Sequence, residues 1–302
     1  SIVTRCMTSV YLILAHGYFS QLERLVRRLA RTGSPVVIHI DQRTPLPDPF
    51  PAATLPNVFL TKERHGTAWG SFEVVVATLT LLREAIARFP NAKYFSLLSG
   101  QDYPIKSLRQ IDAFFEGNDS DFIGHIPLAE EQWRYGGKRR IDRFYWAANR
   151  KSLPGFVFRT IPLPPRRFPI PLEKMFTGSQ WWSLRGETVK RLLAFVDDNP
   201  DVLKAFRWTY IADEMFFQTV LAGLMREKQL VNNNLRHIEY FSLPRDYLRL
   251  KILNRNGIRV LTMADLEKLK ASPALFARKF DAAVDSGILD SLDELCEDGA
   301  GV

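Results

Sequence analysis

Compact apolar runs alternate with amphipathic segments along the first 125 residues of the chain. Between the first two runs, residues 19–30 carry leucine and valine at helical spacing. A longer helix is predicted over residues 71–89, with Ser71 as its cap and Glu73 stabilising its first turn, and another begins at Ser107. The apolar runs are typical of buried strands and cover residues 10–15, 35–40, 57–60 and 93–98.

Strands that alternate with helices of about 10–15 residues form mostly parallel sheets. The predicted fold class is therefore α/β, with a mostly parallel central sheet and helices on both faces. Ligands of such sheets bind beyond the carboxyl ends of the strands. In this chain that edge carries His16, Asp41 and Asp102, which follow predicted strands.

The second half of the sequence has weaker periodicity. Residues 146–171 are rich in proline, arginine and aromatic residues, which indicates a long loop that acts as a lid or contacts an acceptor. A strand is predicted over residues 176–184, a helix over about 187–196, and a helical segment after Ile211. Because no internal repeat is present, we expect one domain over residues 1–302.

The composition is that of an ordinary globular protein, with 46% hydrophobic and 25% charged residues. No run approaches the roughly 18 apolar residues that a membrane span needs, and no signal peptide is evident. The two cysteines, Cys6 and Cys296, lack the spacing of a metal site and favour a reducing cytoplasm.

A net charge of +8 favours a polyanionic partner, which leaves nucleic acid, a membrane surface and a phosphorylated substrate as alternatives. No nucleic-acid-binding motif accompanies the charge, so phosphates of a small ligand or a lipid are favoured over nucleic acid. The basic residues form local groups, of which the first has the spacing of a solvated helix face: Arg24/Arg27/Arg28/Arg31, Lys138/Arg139/Arg140/Arg143 and Arg166/Arg167.

Two aspartates at the predicted ligand edge could act on a nucleotide. The carboxylate of Asp41 can accept a hydrogen bond from a ribose hydroxyl or a base N–H, although a loop cap is equally compatible with the pattern. Asp102 stands where many nucleotide-sugar transferases have an Asp-x-Asp that holds Mg²⁺ or Mn²⁺. The chain has one acid there. Its literal Asp119-Ser120-Asp121 precedes a strand and indicates a turn, so we predict no metal site.

Glu214 is the candidate general base. On a helix it would share a face with Phe217 and Leu221, and apolar surroundings favour the proton-bound form of a carboxyl group. A carboxylate that interacts with a helix N-terminus is the alternative. Arg278 and Lys279 lie between aromatic residues and could hold a diphosphate, or could be a solvated basic pair.

Trp181 ends a Gly-Ser-Gln-Trp segment. It could stack on a sugar ring, or it could belong to the core.

Taken together, these segments resemble the core 2/I-branching β-1,6-N-acetylglucosaminyltransferases and their relatives, the peptide O-xylosyltransferases. The resemblance covers most of the chain in the same order. The segments that carry it are residues 11–16, 36–41, 68–70, 94–106, 178–181, 213–221, 232–236 and 276–280.

The resemblance implies a GT-A-like, Rossmann-type fold and an inverting reaction that needs no divalent metal and no other cofactor. By it, Glu214 would be the base on the acceptor hydroxyl, and Arg278 and Lys279 would replace the metal on the phosphates of UDP. Asp41 would contact the uridine. The chain would then divide into a nucleotide-binding half, residues 1–125, and an acceptor and catalytic half, residues 126–302.

Further positions follow from the same resemblance. His16 and Asp102 would lie on the donor side of the site. Trp181 and Tyr240 would line the sugar and acceptor side, with Tyr240 standing where relatives often have tryptophan. The xylosyltransferases have an acid where this chain has Gln180, which leaves the transferred sugar open.

The eukaryotic members of the family are rich in cysteine, and this chain is not. We therefore expect a bacterial, cytoplasmic relative that makes a surface polysaccharide or a glycolipid, with peripheral contact to an anionic membrane as a further possibility. The expected activity is transfer of N-acetylglucosamine from a UDP-sugar to a hydroxyl group of an acceptor glycan. Transfer from UDP-xylose and a non-catalytic carbohydrate-binding protein on the same fold are the alternatives.

Overall fold

The computed structural model describes residues 7–130, 137–145, 165–240 and 257–296. Its strands are β1 (Ser9–Ala15), β2 (Val36–Ile40), β3 (Val58–Leu60), β4 (Tyr94–Ser99), β5 (Tyr103–Pro104), β6 (Asp121–Pro127), β7 (Phe176–Arg185), β8 (Leu230–Val231), β9 (Arg236–Ile238) and β10 (Phe276–Arg278). Its α-helices are α1 (Phe19–Ala30), α2 (Glu73–Arg88), α3 (Leu108–Glu116), α4 (Arg139–Asp142), α5 (Gly186–Asp198), α6 (Pro200–Phe206), α7 (Phe216–Gln218), α8 (Leu266–Ala271) and α9 (Gly287–Leu295). A π-helix, Thr219–Leu224, continues α7.

The strands form a seven-stranded sheet in the order β3-β2-β1-β4-β7-β6-β8. Its neighbouring strands are parallel except at β7, which runs antiparallel to both β4 and β6. The order β3-β2-β1-β4 is that of a Rossmann-type half. The predicted fold class, a GT-A-like α/β fold with a mostly parallel central sheet, is confirmed. A small second sheet has the order β5-β10-β9.

Side-chain alternation along the central strands explains why helices cover both faces of the sheet. Tyr11 and Ile13 of β1 pack in one core with α1, α3 and α9, whereas Val10 and Leu12 pack in the other with α2 and α5. All four side chains are fully buried. Burying each aliphatic side chain contributes about 1.5–3 kcal/mol, so a strand with two apolar faces requires both layers of helices.

The predicted halves share this sheet. Strands β1 to β4 come from residues 1–125, β7 and β8 come from residues 126–302, and β6 spans the boundary between them. The assignment of a separate role to each half stays a prediction.

The start of α2 differs from the prediction. Phe72, and not Ser71, is the residue at the helix boundary, and it makes no side-chain cap. A backbone turn precedes the helix, in which the carbonyl of Ser71 accepts from the N–H of Val74, while the buried hydroxyl of Ser71 has no hydrogen-bond partner. The cap at Ser107 does form, because its hydroxyl accepts from the N–H of Gln110 and the glutamine side chain accepts in return.

The basic face of α1 is only partly solvated: two of its four arginines are exposed as predicted, and the other two are covered at least in part. Arg28 is buried and donates to the carbonyl of Cys296, and Arg24 forms ion pairs with Asp290 and Asp293 on α9. Helix α9 and the residue after it therefore cover two of the four arginines that the helical spacing placed in solvent.

The proposed lid, residues 146–171, lies outside the described residues up to position 164, as does Cys6. Across the described part of the chain, no helix has the length and apolar character needed to cross a membrane.

Candidate active site

A cavity of about 740 Å³ opens beyond the carboxyl ends of β1 and β4, at the edge where the sequence places a ligand. Its wall is built from the residues that follow these two strands, from the first half of β7 and from the end of β10. Because β7 runs antiparallel to β4, its starting residues reach the same edge. The predicted site residues that line the cavity are His16, Trp181, Glu214, Tyr240, Arg278 and Lys279. Asp41 and Asp102 lie behind it.

Glu214 is half-buried in the cavity wall. It ends a 3₁₀ turn, Ala212–Glu214, and α7 begins only after Met215. The predicted helical face shared with Phe217 and Leu221 is therefore wrong: those side chains are buried in the core, whereas Glu214 belongs to the turn before the helix. Met215, whose backbone is not helical (φ −132°, ψ −37°), separates the turn from the helix, and Ile211, before the turn, has a left-handed backbone with φ 52°. Such a conformation is rare for a β-branched residue.

Arg278 and Lys279 bring two cations to the cavity from the end of β10. The guanidinium carbon of Arg278 lies 4.3 Å from the ring centroid of Trp181, and its Nε lies 3.6 Å from Oδ1 of Asp102. Its Nε and one terminal nitrogen are buried without a hydrogen-bond partner. Burial and the charge of Arg278 lower the pKa of Lys279. Unpaired N–H groups beside a second cation are suited to an anionic ligand.

Asp102 is fully buried and is not among the residues that line the cavity. Its carboxylate accepts from the hydroxyl of Ser99 at 2.7 Å and from the N–H of the same residue at 3.2 Å, and it faces Arg278. The structure thus places Asp102 as a support for Arg278. Direct contact of Asp102 with a donor stays a prediction.

Asp41 is buried as well, and its carboxylate holds the neighbouring Arg43. The guanidinium of Arg43 donates to both carboxylate oxygens at 3.1 and 2.7 Å, and the hydroxyl of Thr67 donates at 2.8 Å. Burial alone would raise the pKa of Asp41, but these hydrogen bonds outweigh it and hold the pKa well below its ordinary value. A contact between Asp41 and uridine stays a prediction.

Arg43 and Thr67 line the cavity themselves, although the sequence did not suggest them. The available signal was a basic residue two positions after an acid at a strand end, a spacing at which both side chains can meet in a turn.

Positive charge dominates this wall of the cavity. His16 lines it, and desolvation together with the nearby charge of Lys279 lowers the pKa of His16, with Arg43 and Arg278 acting in the same direction. Three cations grouped along one wall give the cavity a positive potential that favours an anion.

Aromatic side chains also line the cavity, and one of them packs directly against the cationic wall. Trp181 supports Arg278, and Tyr240 is 48% exposed. Trp69 also lines the cavity, and it contacts Tyr210 edge to face, with ring centroids 6.1 Å apart. The sequence placed Trp69 in a segment of the family resemblance without predicting a role for it. Exposed aromatic rings in a polar cavity offer apolar faces on which sugar rings pack.

The literal Asp-x-Asp does not reach this site. Asp121 begins β6, at the amino edge of the parallel strands, and is fully buried. Its carboxylate accepts from Arg185 at 2.8 Å and from Thr188 at 2.8 Å, while Asp119 is exposed and pairs with Lys93. Within the described ranges, no three His, Cys, Asp or Glu side chains group as metal ligands.

The fold and the site together define a nucleotide-binding type of α/β protein, with an anion-binding wall and a carboxylate in one cavity. The model of the Core-2/I-Branching enzyme family matches residues 10–269. The chain therefore belongs to the Core-2/I-branching enzyme family.

Relatives of known name agree with this assignment. Xylosyltransferase 2 of Pan troglodytes is 24% identical over 94% of this chain. The N-acetyllactosaminide β-1,6-N-acetylglucosaminyl-transferase of Homo sapiens is 26% identical over 90% of it. The chain spans 33% of the length of that xylosyltransferase and 67% of that of the human enzyme. Among solved structures, the galactosyltransferase LgtC has a TM-score of 0.42 and 11% identity, covering 98% of this chain and 97% of LgtC.

Proposed function

We propose that the protein is an inverting glycosyltransferase that moves a sugar from a UDP-sugar to a hydroxyl group of an acceptor glycan. The observation that carries this proposal is that Glu214 lines the same cavity as Arg278 and Lys279. A base and an anion-binding pair in one cavity are the two groups that a single displacement at an anomeric carbon needs.

In this mechanism Glu214 accepts the proton of the acceptor hydroxyl. The hydroxyl oxygen forms a bond to the anomeric carbon as the bond from that carbon to the phosphate oxygen breaks, and UDP leaves with the electron pair. Arg278 and Lys279 stabilise the negative charge that develops on the departing diphosphate. No enzyme nucleophile is required, because one displacement inverts the configuration.

Replacing the base tests the assignment of Glu214. We expect Glu214→Gln to lower kcat by roughly 100- to 10,000-fold, the usual contribution of general-base catalysis, because an amide cannot accept the proton. The dissociation constant of UDP, measured by calorimetry, should remain within about twofold. Glu187→Gln, in the first turn of α5, is the matched control and should keep full activity.

Turnover retained by Glu214→Gln would refute the base assignment. If the unmodified protein bound no UDP at all, the cavity would instead belong to a non-catalytic carbohydrate-binding protein.

We further propose that the reaction needs no divalent cation. In support, Asp102 faces Arg278 at 3.6 Å, so a cation of the chain itself already neutralises the one acid at the place of the metal-binding aspartates. Protein dialysed against EDTA should turn over UDP-sugar at the same rate as untreated protein. Activity that disappeared on dialysis and returned with Mn²⁺ would contradict the proposal.

We propose N-acetylglucosamine as the transferred sugar and xylose as the second candidate, because relatives of both names match 90% or more of the chain. Measuring hydrolysis of a panel of UDP-sugars without acceptor would identify the donor. The acceptor proposed is a polysaccharide or glycolipid made in the bacterial cytoplasm, and the net charge of +8 supports peripheral contact with an anionic membrane.

A further inference from the structure

The turn that carries Glu214 has an unusual backbone. Ile211, the residue before the 3₁₀ turn, is buried and left-handed, with φ 52° and ψ 57°. Conformations of this kind persist in β-branched residues only where the surrounding structure holds them. One such contact lies in the cavity wall, where the N–H of Ile211 donates to the carbonyl of Gly70 at 3.2 Å.

A buried arginine holds the same turn from the other side. Arg140 of α4 is fully buried. Its Nε donates to the carbonyl of Tyr210 at 3.1 Å, and a terminal nitrogen donates to the carbonyl of Ile211 at 2.7 Å. The rigid, planar fork of a guanidinium suits two consecutive carbonyls, whereas an ammonium group offers no such fixed geometry.

The remaining terminal nitrogen of Arg140 reaches Glu214 through a hydroxyl. It donates to Oγ1 of Thr177 at 2.8 Å, and the hydroxyl of Thr177 donates in turn to the backbone carbonyl of Glu214 at 3.0 Å. Thr177 is buried near the start of β7, a long strand of the central sheet. The Thr177 hydroxyl both accepts and donates, so a continuous chain of hydrogen bonds links the guanidinium of Arg140, strand β7 and the carbonyl of Glu214.

Together, Arg140 and Thr177 bind the turn over residues 210–214 at three backbone carbonyls: those of Tyr210, Ile211 and Glu214. We propose that Arg140 and Thr177 are positioning residues, a guanidinium–hydroxyl relay that fixes this turn and thereby holds the carboxylate of Glu214 at its place in the cavity. The proposal rests on the proposed function, since it assumes that Glu214 acts on the acceptor. Neither residue is assigned a part in proton transfer.

Two variants of Thr177 test the relay with little change in shape. Thr177→Val removes the hydroxyl and keeps the branched side chain, whereas Thr177→Ser keeps the hydroxyl. A displacement of about 1 Å at a reacting group can lower a rate by about 100-fold. We therefore expect Thr177→Val to lower kcat by roughly 10- to 100-fold, with the KM for donor and the dissociation constant of UDP unchanged within twofold. Thr177→Ser should restore kcat to within about threefold of the unmodified protein.

Arg140→Lys keeps the charge and loses the fork, and we expect it to lower kcat at least as far as Thr177→Val. Because a buried arginine also stabilises the fold, its matched control is Arg185→Lys. Arg185 joins Asp121 and Thr188 in a polar network outside the cavity. That variant should lose thermal stability while the folded protein keeps its kcat.

A second readout does not depend on turnover. Hydrogen exchange of the backbone amides in residues 210–215 should accelerate in Thr177→Val and return to its original rate in Thr177→Ser. The proposal is overturned if Thr177→Val keeps its kcat within twofold, or if kcat falls while exchange in the turn is unaltered. A fully active Thr177→Val beside an inactive Glu214→Gln would refute the relay and leave the proposed function intact. An active Glu214→Gln would refute both.

Discussion

Replacing Arg278 by glutamine tests how much of the affinity for UDP depends on one side chain. In the structure this guanidinium packs over Trp181, faces the buried carboxylate of Asp102 and has two buried nitrogens without a partner. Arg278→Gln keeps a polar but shorter side chain and removes the charge. The variant therefore tests the guanidinium as a whole, in its charge and its reach.

The expected loss of affinity follows from the number of charged hydrogen bonds. A hydrogen bond to a charged group contributes about 1.5–3 kcal/mol, and about 1.4 kcal/mol corresponds to a tenfold change in affinity. One lost contact to the diphosphate should therefore raise the dissociation constant of UDP by roughly 10- to 150-fold. Removing the cation beside Asp102 leaves a buried acid less well neutralised, which should also destabilise the fold by about 1–3 kcal/mol.

Calorimetric titration with UDP and with uridine is the assay. Uridine lacks the phosphates, so its affinity for Arg278→Gln should stay within about threefold of that for the unmodified protein. Arg83→Gln changes the net charge equally at an exposed ion pair with Asp197, and it should leave both affinities unaltered. If UDP and uridine lost affinity by the same factor in Arg278→Gln, the guanidinium would not bind the diphosphate and the reasoning would be refuted.

Two further predictions concern buried acids. Asp41→Asn should destabilise the protein at pH 7 by about 2 kcal/mol, because the carboxylate that holds Arg43 loses its charge. Because the pKa of Asp41 is lowered in the fold, its carboxylate stabilises the fold above its ordinary pKa near 4, and this stabilisation is lost in more acidic solution. The free energies of urea unfolding of variant and parent should therefore differ less at pH 3 than at pH 7. An equal difference at both pH values would contradict the expectation. Burial raises the pKa of Asp213 to about 6, so ionisation of that group costs stability as the pH rises from 4 through 6. Asp213→Asn should therefore be more stable than the parent at pH 8, by up to about 3 kcal/mol, and this gain in stability should vanish at pH 4. A gain that did not depend on pH would exclude the ionisation of Asp213 as its cause.

The central sheet could be predicted from the sequence because its strands are short apolar runs whose burial on two faces is a local property of the pattern. The predicted helix over residues 19–30 agrees with α1. The cap at Ser71 and the helix through Glu214 failed for a different reason. Both depend on the backbone of a neighbouring turn, and at Ile211 tertiary contacts impose a conformation that isoleucine disfavours by itself.

The site shows the same division. Residue type and the family resemblance brought Glu214 and Arg278 to attention, and both line the cavity. Burial could not be predicted for Asp41 and Asp102, which support arginines from behind the wall. The role of Arg140 could not be predicted, because it lies in a run of basic residues and such a run is typical of solvated surface. Only the fold shows that Arg140 is the buried member of this run.

The antiparallel strand β7 of the central sheet has a consequence for how the chain can be divided. Strand β7 lies between β4 and β6, so a fragment that ended after β6 would leave both strands without their common neighbour. The exposed edge of β4 would be an apolar template for association with other chains. We therefore expect the amino-terminal part to aggregate when expressed alone. During synthesis, the sheet can close only after the ribosome has released residues beyond Arg185, the last residue of β7.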